Sequence, residues 1–469
     1  MRTKITLILL VCILVGCTKN ADIESVNLPS DPVTQTVLPK ISKDISVLSS
    51  DDAINVANLF SHGKVLTKSE TLKDVRNVVP IKDASDRTLM YAVNYDDGYA
   101  IVSATKNYHP VLAVVDHGTY TGEKTGTGQD VLMSEYMIAT EAAMDGEISV
   151  DKSVWSEYEE VPFQFTPQTK LSDEYNDVVN QYTGEWYQAG YNIYRLNQKP
   201  ENMPDDMYAE FCENASFYDR PDHDYMRCSF IIEDIYDDVS YAGPLCQSGW
   251  GQKAPYNSAL QNPDVMSLGC ATIAETLVMS AIEYPTYICW PLLTAGAPGV
   301  CNSHLASFLA EVRTSIGGDP IYGGATLSDV RYSMKFDYLY DEDNGWALNV
   351  VNHTNAYITP SLNEGIPIIM SGADNTSGLG HVWVCDGYRS TIDCTRYALY
   401  VIPMSGEITE LQEIENREIY QGSTFFYHMN WGFYGQCDGY YLDNNIAFTI
   451  NSIRHDFKQN RNDLIISHE

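Results

Sequence analysis

Hydrophobic and polar positions form two distinct patterns along this chain of 469 residues, one in each of two predicted units. Residues 42–122 open with an amphipathic segment, whose helix is predicted to start at an N-cap on Ser50 or Asp51. Two apolar runs then flank an Asp-Asp-Gly turn at 96–98, which predicts a β-hairpin, and residues 109–120 predict a third strand. This pattern indicates a small α+β unit.

A second α+β unit is predicted from residue 241 to the C-terminus. Its front part is helical, and its rear part consists of apolar runs of strand length. Residues 128–148 between the two units predict a helix, whereas residues 150–240 are acidic, rich in tyrosine and weakly periodic, which favours a partly ordered connector. The predicted rear strands lie at 366–371, 381–388, 396–402, 424–431 and 439–442.

The first seventeen residues have the layout of a secretory signal. Arg2 and Lys4 precede an apolar run at 5–15 that is too short to span a bilayer permanently. The run closes on Leu-Val-Gly-Cys, a pattern similar to a bacterial lipobox in which Cys17 is cut free and acylated. An ordinary signal peptide that happens to end near a cysteine is the alternative. The lipobox reading predicts a lipoprotein of the cell envelope, held at the outer membrane or cell surface or released after maturation.

Charge narrows the range of partners. The chain carries 29 Lys and Arg against 63 Asp and Glu, a formal net charge of −34. Nucleic-acid binding requires a basic footprint, so this balance argues against a nucleic-acid partner. Attraction to an anionic membrane is also not expected, and the lipid on Cys17 would provide the anchor.

The number of cysteines predicts disulfide bonds and one unpaired thiol. Of eleven cysteines, Cys12 is lost with the signal and Cys17 would be lipidated, which leaves nine. Thiols tend to pair in an exported protein. An odd number leaves one unpaired, and several of the others are expected to form disulfides. No Cys-x-x-Cys pair or tight Cys/His cluster suggests zinc, so no metal or cofactor is expected.

Cys270 is a candidate nucleophile. Apolar or small residues follow it with helical spacing up to a stop at Tyr284-Pro285, which places Cys270 in the first turn of a helix behind Gly269. The positive end of a helix and its free N–H groups lower a thiol's pKa and can face an oxyanion. A core cysteine or half of a disulfide fits the same spacing, so this segment alone leaves the role open.

Two downstream segments supply the groups that a nucleophilic cysteine needs. His381 begins a predicted strand after a glycine-rich loop, which favours an accessible base. Asn430 could orient an imidazole through its side-chain carbonyl, and Trp431 could shield that contact from water. Each signal is weak when taken alone.

Four motifs in order resemble the streptopain-like cysteine proteases, which are papain-like enzymes with a Cys–His dyad. The motifs are WGQKAPYN, GCATIAETLVM, GHVWVCDGY and NWGFYGQCDGYY. The upstream stretch MYAVNYDDGYAIVSATKNYHPVLAVVDHGTY is similar to the inhibitory propeptide of that family. The resemblance covers about residues 42–122 and 241–450.

The resemblance implies a papain-like catalytic domain with a helical front and an antiparallel sheet behind it, preceded by a propeptide that inhibits it. It makes Cys270 the nucleophile, His381 the base and Gln252 the oxyanion-hole donor. Asn430 and Trp431 match the pair that flanks the catalytic histidine.

The chain also departs from the family pattern. Ala271 to Ala274 replace the usual Val-Ala-Thr-Ala, Leu277 replaces a glutamine, and Phe433 stands where a second tryptophan is usual. About thirty extra residues near 391–422 are expected to form a surface loop. These changes affect substrate preference more than the chemistry.

The sequence therefore predicts a lipid-anchored cysteine endopeptidase that is made as a zymogen and hydrolyses polypeptides. A non-catalytic surface lipoprotein that binds a protein partner, and an acyltransferase or amidase with the same dyad, are the alternatives. The predicted organisation is a signal peptide at 1–17, a tether at 18–41, an inhibitory propeptide domain at 42–122, a helix and acidic connector at 123–240 and a catalytic domain at 241–469.

Overall fold

The computed structural model describes the chain from residue 39 onwards, with gaps. The described residues are 39–63, 73–159, 192–196, 198–200, 202–218, 228–295, 300–373, 380–402, 412–443, 447–450, 453–456 and 461–468. Cys17, the signal peptide and nearly all of the tether lie outside them. Within the described ranges, no helix has both the length and the apolar character required to cross a membrane.

The described residues form eight α-helices and fourteen strands. The helices are α1 (Ser50–Gly63), α2 (Gly128–Met144), α3 (Asp205–Tyr218), α4 (Cys270–Ile282), α5 (Trp290–Thr294), α6 (Ser303–Ile316), α7 (Leu327–Phe336) and α8 (Asn355–Asn363). The strands are β1 (Val75–Lys82), β2 (Thr88–Tyr95), β3 (Tyr99–Ser103), β4 (Val111–Val115), β5 (Asn192–Arg195), β6 (Cys228–Ala242), β7 (Trp346–Asn352), β8 (Ile368–Ala373), β9 (Gly380–Ile402), β10 (Gln412–Asn430), β11 (Gly439–Leu442), β12 (Ala447–Ile450), β13 (Ile453–Asp456) and β14 (Arg461–His468). The α+β class predicted from the sequence is confirmed.

The N-terminal unit contains the predicted helix and hairpin. Ser49 caps α1, because the Asp52 N–H donates to the Ser49 hydroxyl and the Asp52 carboxylate accepts the Ser49 N–H, a capping box. The cap thus lies one residue before the predicted Ser50. Strands β2 and β3 flank the predicted turn at 96–98. Strand β1 was not predicted, since it contains Pro80 and lies at the edge of the sheet, where burial is weak.

The sheet of the N-terminal unit continues directly into the sheet of the C-terminal unit. The main strand order is β1-β2-β3-β4-β11-β10-β9-β8-β14-β7, and β4 pairs antiparallel with β11 through Val115 opposite Gly439 and Ala113 opposite Tyr441. Gly439 permits this approach, because a Cβ there would lie 2.5 Å from the Val114 carbonyl oxygen. The two predicted units therefore share one antiparallel sheet.

Both faces of the central strands are buried in separate hydrophobic clusters. On β9, Trp383 and Cys385 face the cluster that also contains α1, α2 and α8, whereas Val382 and Val384 face the cluster that contains α4, α6 and α7. Successive side chains of a strand point to opposite faces, so a slip of one residue would exchange the two sets. Burial on both sides therefore specifies the register of β9.

The extra stretch at 391–422 was predicted as a surface loop, although a strand was also predicted at 396–402. That strand is confirmed within β9, and the loop prediction is wrong for the other described residues. They extend β9 and β10 as a long antiparallel hairpin, and β6 pairs with β9 along its whole length, from Cys228 opposite Ile402 to Ala242 opposite Tyr388. A third hydrophobic cluster packs α3 onto this hairpin; it contains Met203, Phe211, Ala215, Ile231, Tyr397 and Leu399.

The predicted acidic connector consequently contains regular structure where it is described. Strand β5 pairs with β6, and α3 covers the hairpin through its apolar side. The weak periodicity arises because only a few positions, such as Phe211 and Ala215 in α3, are buried while the rest carry charge. Strands β7 and β14 and helix α8 were also missed in the C-terminal unit.

Candidate active site

Cys270 is the first residue of α4, as the sequence predicted. Gly269 precedes it with φ of 84° and ψ of 153°, a backbone region that is essentially restricted to glycine. A Cβ at Gly269 would lie 2.1 Å from the Gly323 carbonyl oxygen, so this glycine also allows the loop before α7 to approach. The position of the thiol thus depends on one glycine.

The Cys270 thiol accepts a hydrogen bond from the backbone N–H of Val382, with N and Sγ 3.4 Å apart. Burial raises the pKa of this thiol above its ordinary value, and the N–H groups of Val382, Ala271 and Cys270 itself oppose the shift. The burial effect outweighs the amides, so the thiol is protonated at neutral pH in this state. A thiol in this state would need a base to remove its proton before it could act as a nucleophile.

His381 lies next to Val382 at the start of β9, opposite Gly372 of β8. Because the Val382 nitrogen contacts Sγ, standard peptide geometry puts the Cα of His381 within about 6 Å of the Cys270 sulfur. The structure therefore brings the two predicted dyad residues together, although they are separated by 110 residues in sequence.

Gln252 lies beside the segment that leads into α4. Its backbone carbonyl accepts the Leu268 N–H at 2.9 Å and the Ser267 hydroxyl at 3.4 Å. These bonds hold the Gln252 backbone next to Leu268, two residues before Cys270. The role of Gln252 as an oxyanion-hole donor stays a prediction. The side chain is half-buried.

Asn430 ends β10, and Trp431 begins a tight turn. The Asn430 side chain donates to the Ser248 carbonyl at 3.3 Å and accepts the Gly432 N–H at 3.0 Å. Trp431 is buried, its indole N–H donates to the Cys437 carbonyl at 2.7 Å, and its ring contacts that of Trp383 at 5.4 Å between centroids. The described contacts of Asn430 support the turn, and the predicted role of orienting the imidazole stays a prediction.

The other cysteines do not follow the expected pairing where the structure describes them. Cys270 is a free thiol, as expected. The following are also free thiols: Cys212, Cys246, Cys289, Cys301, Cys385 and Cys437.

Helix α2, which follows the N-terminal unit, packs against the aromatic residues of the candidate site. Gly128, at the start of α2, lies so close to Trp431 and Trp383 that a Cβ there would come within 2.6 Å and 2.7 Å of the two rings. A Cβ at Gly372, opposite His381, would meet Trp383 at 2.9 Å and Val131 of α2 at 3.2 Å. Helix α2 thus covers Trp383, two residues after the predicted base, and Trp431.

Sequence reasoning missed a charged group beneath the site. His428 contacts Asp386 with 2.6 Å between Nδ1 and Oδ1, and the Asp438 carboxylate accepts the Trp431 N–H at 3.0 Å. A signal was present, because the tetrapeptide Cys-Asp-Gly-Tyr occurs twice, at 385–388 and at 437–440. Its two aspartates are those that meet near His428.

Comparison with known protein families gives two matches. Residues 312–441 match the model of the peptidase C10 family, and residues 42–139 match the model of the Spi protease inhibitor. These matches confirm the resemblance found in the sequence. The first includes His381, Asn430 and Trp431 but begins after Gln252 and Cys270, and the second extends into α2, beyond the predicted boundary at 122. No curated protein matched the chain.

Replacing Gly269 with alanine should destabilise the protein more than the same change at Gly365. Both glycines have positive φ, 84° and 80°, but only Gly269 faces a backbone oxygen; a Cβ at Gly365 meets nothing within 4 Å. We expect Gly365→Ala to cost about 1 kcal/mol and Gly269→Ala about 3 kcal/mol or more. Urea unfolding of both variants in a Cys270→Ala background, chosen to exclude any cleavage by the predicted nucleophile, measures the difference. Equal losses would contradict the close packing at Gly269.

Proposed function

We propose that the protein is the precursor of a cysteine endopeptidase acting through Cys270 and His381. The chain carries a segment that matches the peptidase C10 family, the streptopain family, and a Spi-type protease inhibitor segment before it. The main support is the contact between the Val382 N–H and the Cys270 sulfur. It joins the first turn of α4 to the start of β9, so that a thiol, a histidine and free helix N–H groups meet in one place.

The proposed reaction uses these groups in sequence. His381 takes the proton from the Cys270 thiol, and the thiolate attacks the peptide carbonyl carbon. The N–H groups at the start of α4 and the side-chain amide of Gln252 stabilise the oxyanion; one such donor is typically worth about 3 kcal/mol. His381 then protonates the leaving amine as the C–N bond breaks. Water, deprotonated by His381, hydrolyses the thioester and restores the thiol.

The inhibitor segment keeps the precursor inactive in this proposal. Two observations support it: α2 packs on Trp383 and Trp431, and β4 pairs with β11 directly after the Asn430–Trp431 turn. The raised pKa of the buried Cys270 thiol is consistent with a nucleophile held unreactive. Departure of the segment would uncover the tryptophans and the edge of β11.

The anchor is also part of the proposal. We place the acyl chains on Cys17, which puts the precursor at the cell envelope. Cys17→Ser should move the protein from the membrane fraction to the soluble fraction and abolish incorporation of labelled fatty acid. Labelling that persists in Cys17→Ser would contradict lipidation at this residue.

Cys270→Ala and His381→Ala should each abolish hydrolysis of a protein substrate such as casein, by about a thousandfold or more, because nucleophile and base act as a unit. Cys289→Ala is the matched control, since Cys289 is an exposed thiol outside the site. A thiol-directed activity probe should label the mature wild-type enzyme and the control, but not Cys270→Ala. Unlabelled, inactive wild-type protein that still binds a partner protein would favour the non-catalytic lipoprotein.

The mature enzyme should retain the strand β6, and its new N-terminus should lie before Asn192. The catalytic-domain boundary predicted from the sequence, at 241, would instead put the new N-terminus near Tyr241. However, β6 pairs with β9 over fifteen residues, and Ile231 and Phe211 are buried in the cluster on that hairpin. N-terminal sequencing and intact mass of the mature form test this. A mature form that begins near Tyr241, with no associated fragment containing β6, would contradict it.

A further inference from the structure

Three carboxylates from separate parts of the chain surround one buried histidine beneath the Asn430–Trp431 turn. His428 is 5% exposed, its Nδ1 is 2.6 Å from Asp386 Oδ1, and its Nε2 is 3.5 Å from Asp116 Oδ2. Asp438 is close enough for the His428 charge to lower the pKa of its carboxyl against the larger effect of burial, which raises that pKa to about 7. Asp116 belongs to the inhibitor segment, and the other residues belong to the peptidase segment.

The two peptidase carboxylates hold the chain on both sides of the candidate site. Asp386 Oδ2 accepts the Cys246 N–H at 2.9 Å, and the Asp386 carbonyl accepts the Leu245 N–H at 2.8 Å. This fixes the segment that leads, six residues later, to Gln252. On the other side, Asp438 accepts the Trp431 N–H and so holds the turn that contains Asn430.

The positive charge of His428 and the negative charges of the carboxylates around it stabilise each other. Burial alone disfavours the charged imidazole, but Asp386 and Asp116 outweigh it and raise the pKa of His428 to about 10. The ring of Tyr440 packs against the imidazole of His428, with 5.0 Å between the ring centroids. Buried carboxylates without a cation would be costly, so the imidazolium allows Asp386 and Asp438 to accept their backbone hydrogen bonds.

We propose that His428 is a positioning residue of the peptidase, which holds Gln252 and the Asn430–Trp431 turn in place through Asp386 and Asp438, and that Asp116 docks the inhibitor segment onto this same histidine. The inference rests on the proposed function. His428 does not touch the reacting atoms; it acts through two carboxylates and the backbone that they hold.

The inhibitor contact is supported by the backbone as well as by the charge. The Asp116 N–H donates to the Asp438 carbonyl at 3.1 Å, so the residue after β4 binds the network at two points. When the segment departs, His428 loses one of its carboxylates and its pKa falls. The mature enzyme should therefore lose activity as the pH rises through the lowered pKa of His428, since a neutral imidazole no longer balances Asp386 and Asp438.

The first experiment compares the mature forms of wild type, His428→Gln and His304→Gln. His304 is an exposed histidine in the first turn of α6, so its variant is the matched control. We expect His428→Gln to lower kcat by about tenfold to a hundredfold with KM within about twofold, because the catalytic groups are misplaced while substrate contacts remain. The fall of kcat at alkaline pH should also disappear, which a purely structural role would not cause. If His428→Gln had the same kcat and the same pH profile as His304→Gln, the positioning role would be overturned.

The second experiment tests docking in the full-length precursor with Asp116→Asn and, as control, Asp86→Asn. Asp86 is an exposed carboxylate of the same segment, paired with Lys82 at the surface. Asp116→Asn should mature faster than wild type and the control. In a Cys270→Ala background, the urea midpoint of the wild-type precursor should fall as the pH rises from about 6.5 to about 10 and then level off, because the folded state keeps the His428 proton over this range and the unfolded state does not. For Asp116→Asn, the fall of the urea midpoint should be smaller and should end at a lower pH. A maturation rate and a urea midpoint equal to those of Asp86→Asn would overturn docking through Asp116.

Two further measurements keep the outcomes separate. If His428→Gln does not fold, as judged by urea unfolding of the precursor, Asp438→Asn, which preserves side-chain size, replaces it and should show the same selective loss of kcat. Hydrolysis by Cys270→Ala would refute the proposed function itself. An inactive Cys270→Ala together with a fully active, normally titrating His428→Gln would refute only the inference about His428.

Discussion

The burial of β9 on both faces is the constraint on which the rest of the structure depends. With Val382 and Val384 in one hydrophobic cluster and Trp383 and Cys385 in the other, this strand can adopt a single register. That register puts the Val382 N–H on the Cys270 sulfur and places Trp383 under α2. The same strand thus carries the predicted base, His381, and the tryptophan that α2 covers, Trp383.

The inhibitor segment shares both a sheet and a hydrophobic cluster with the peptidase segment. It contributes four strands to the common sheet and much of the cluster that covers one of its faces, including Ile101, Leu112 and Tyr136. Backbone pairing at β11 and the packing of Gly128 on two tryptophans fix its position next to the site. Separation must therefore expose apolar surface and an unpaired strand edge, both of which oppose it.

Buried charge adds a second kind of constraint at the same boundary. His353 lies between Asp463 and Asp443, about 3 Å from each, and Arg461 connects Asp443 with Glu135 of α2. Burial raises the pKa of Glu135 to about 7. Together with the group around His428, charges from the inhibitor segment enter the peptidase core at two places. Such contacts require geometry as well as sign, so they make the docking specific.

The sequence by itself determined the local elements and the kind of chemistry. Helical spacing after Cys270 located the start of α4, the turn at 96–98 marked the hairpin, and the run at 439–442 matched β11, because each of these signals depends on neighbouring residues. The four motifs indicated the family, which the matches to residues 312–441 and 42–139 confirm. Strand β6 and the pairing of β9 with β10 within 391–422 were not recognised, since their burial depends on strands that are distant in sequence.

Only the tertiary structure decided which of these elements meet. Pairing β4 with β11 joins residues more than three hundred positions apart, and no local pattern encodes that choice. The same pairing brings Asp116 to His428, while the fold of the hairpin brings Asp386 to the other side of the ring. Whether Asp386 and Asp438 were surface charges or a buried network could not be read from the repeated Cys-Asp-Gly-Tyr, because burial and ionic contacts arise from strand pairing across the whole sheet.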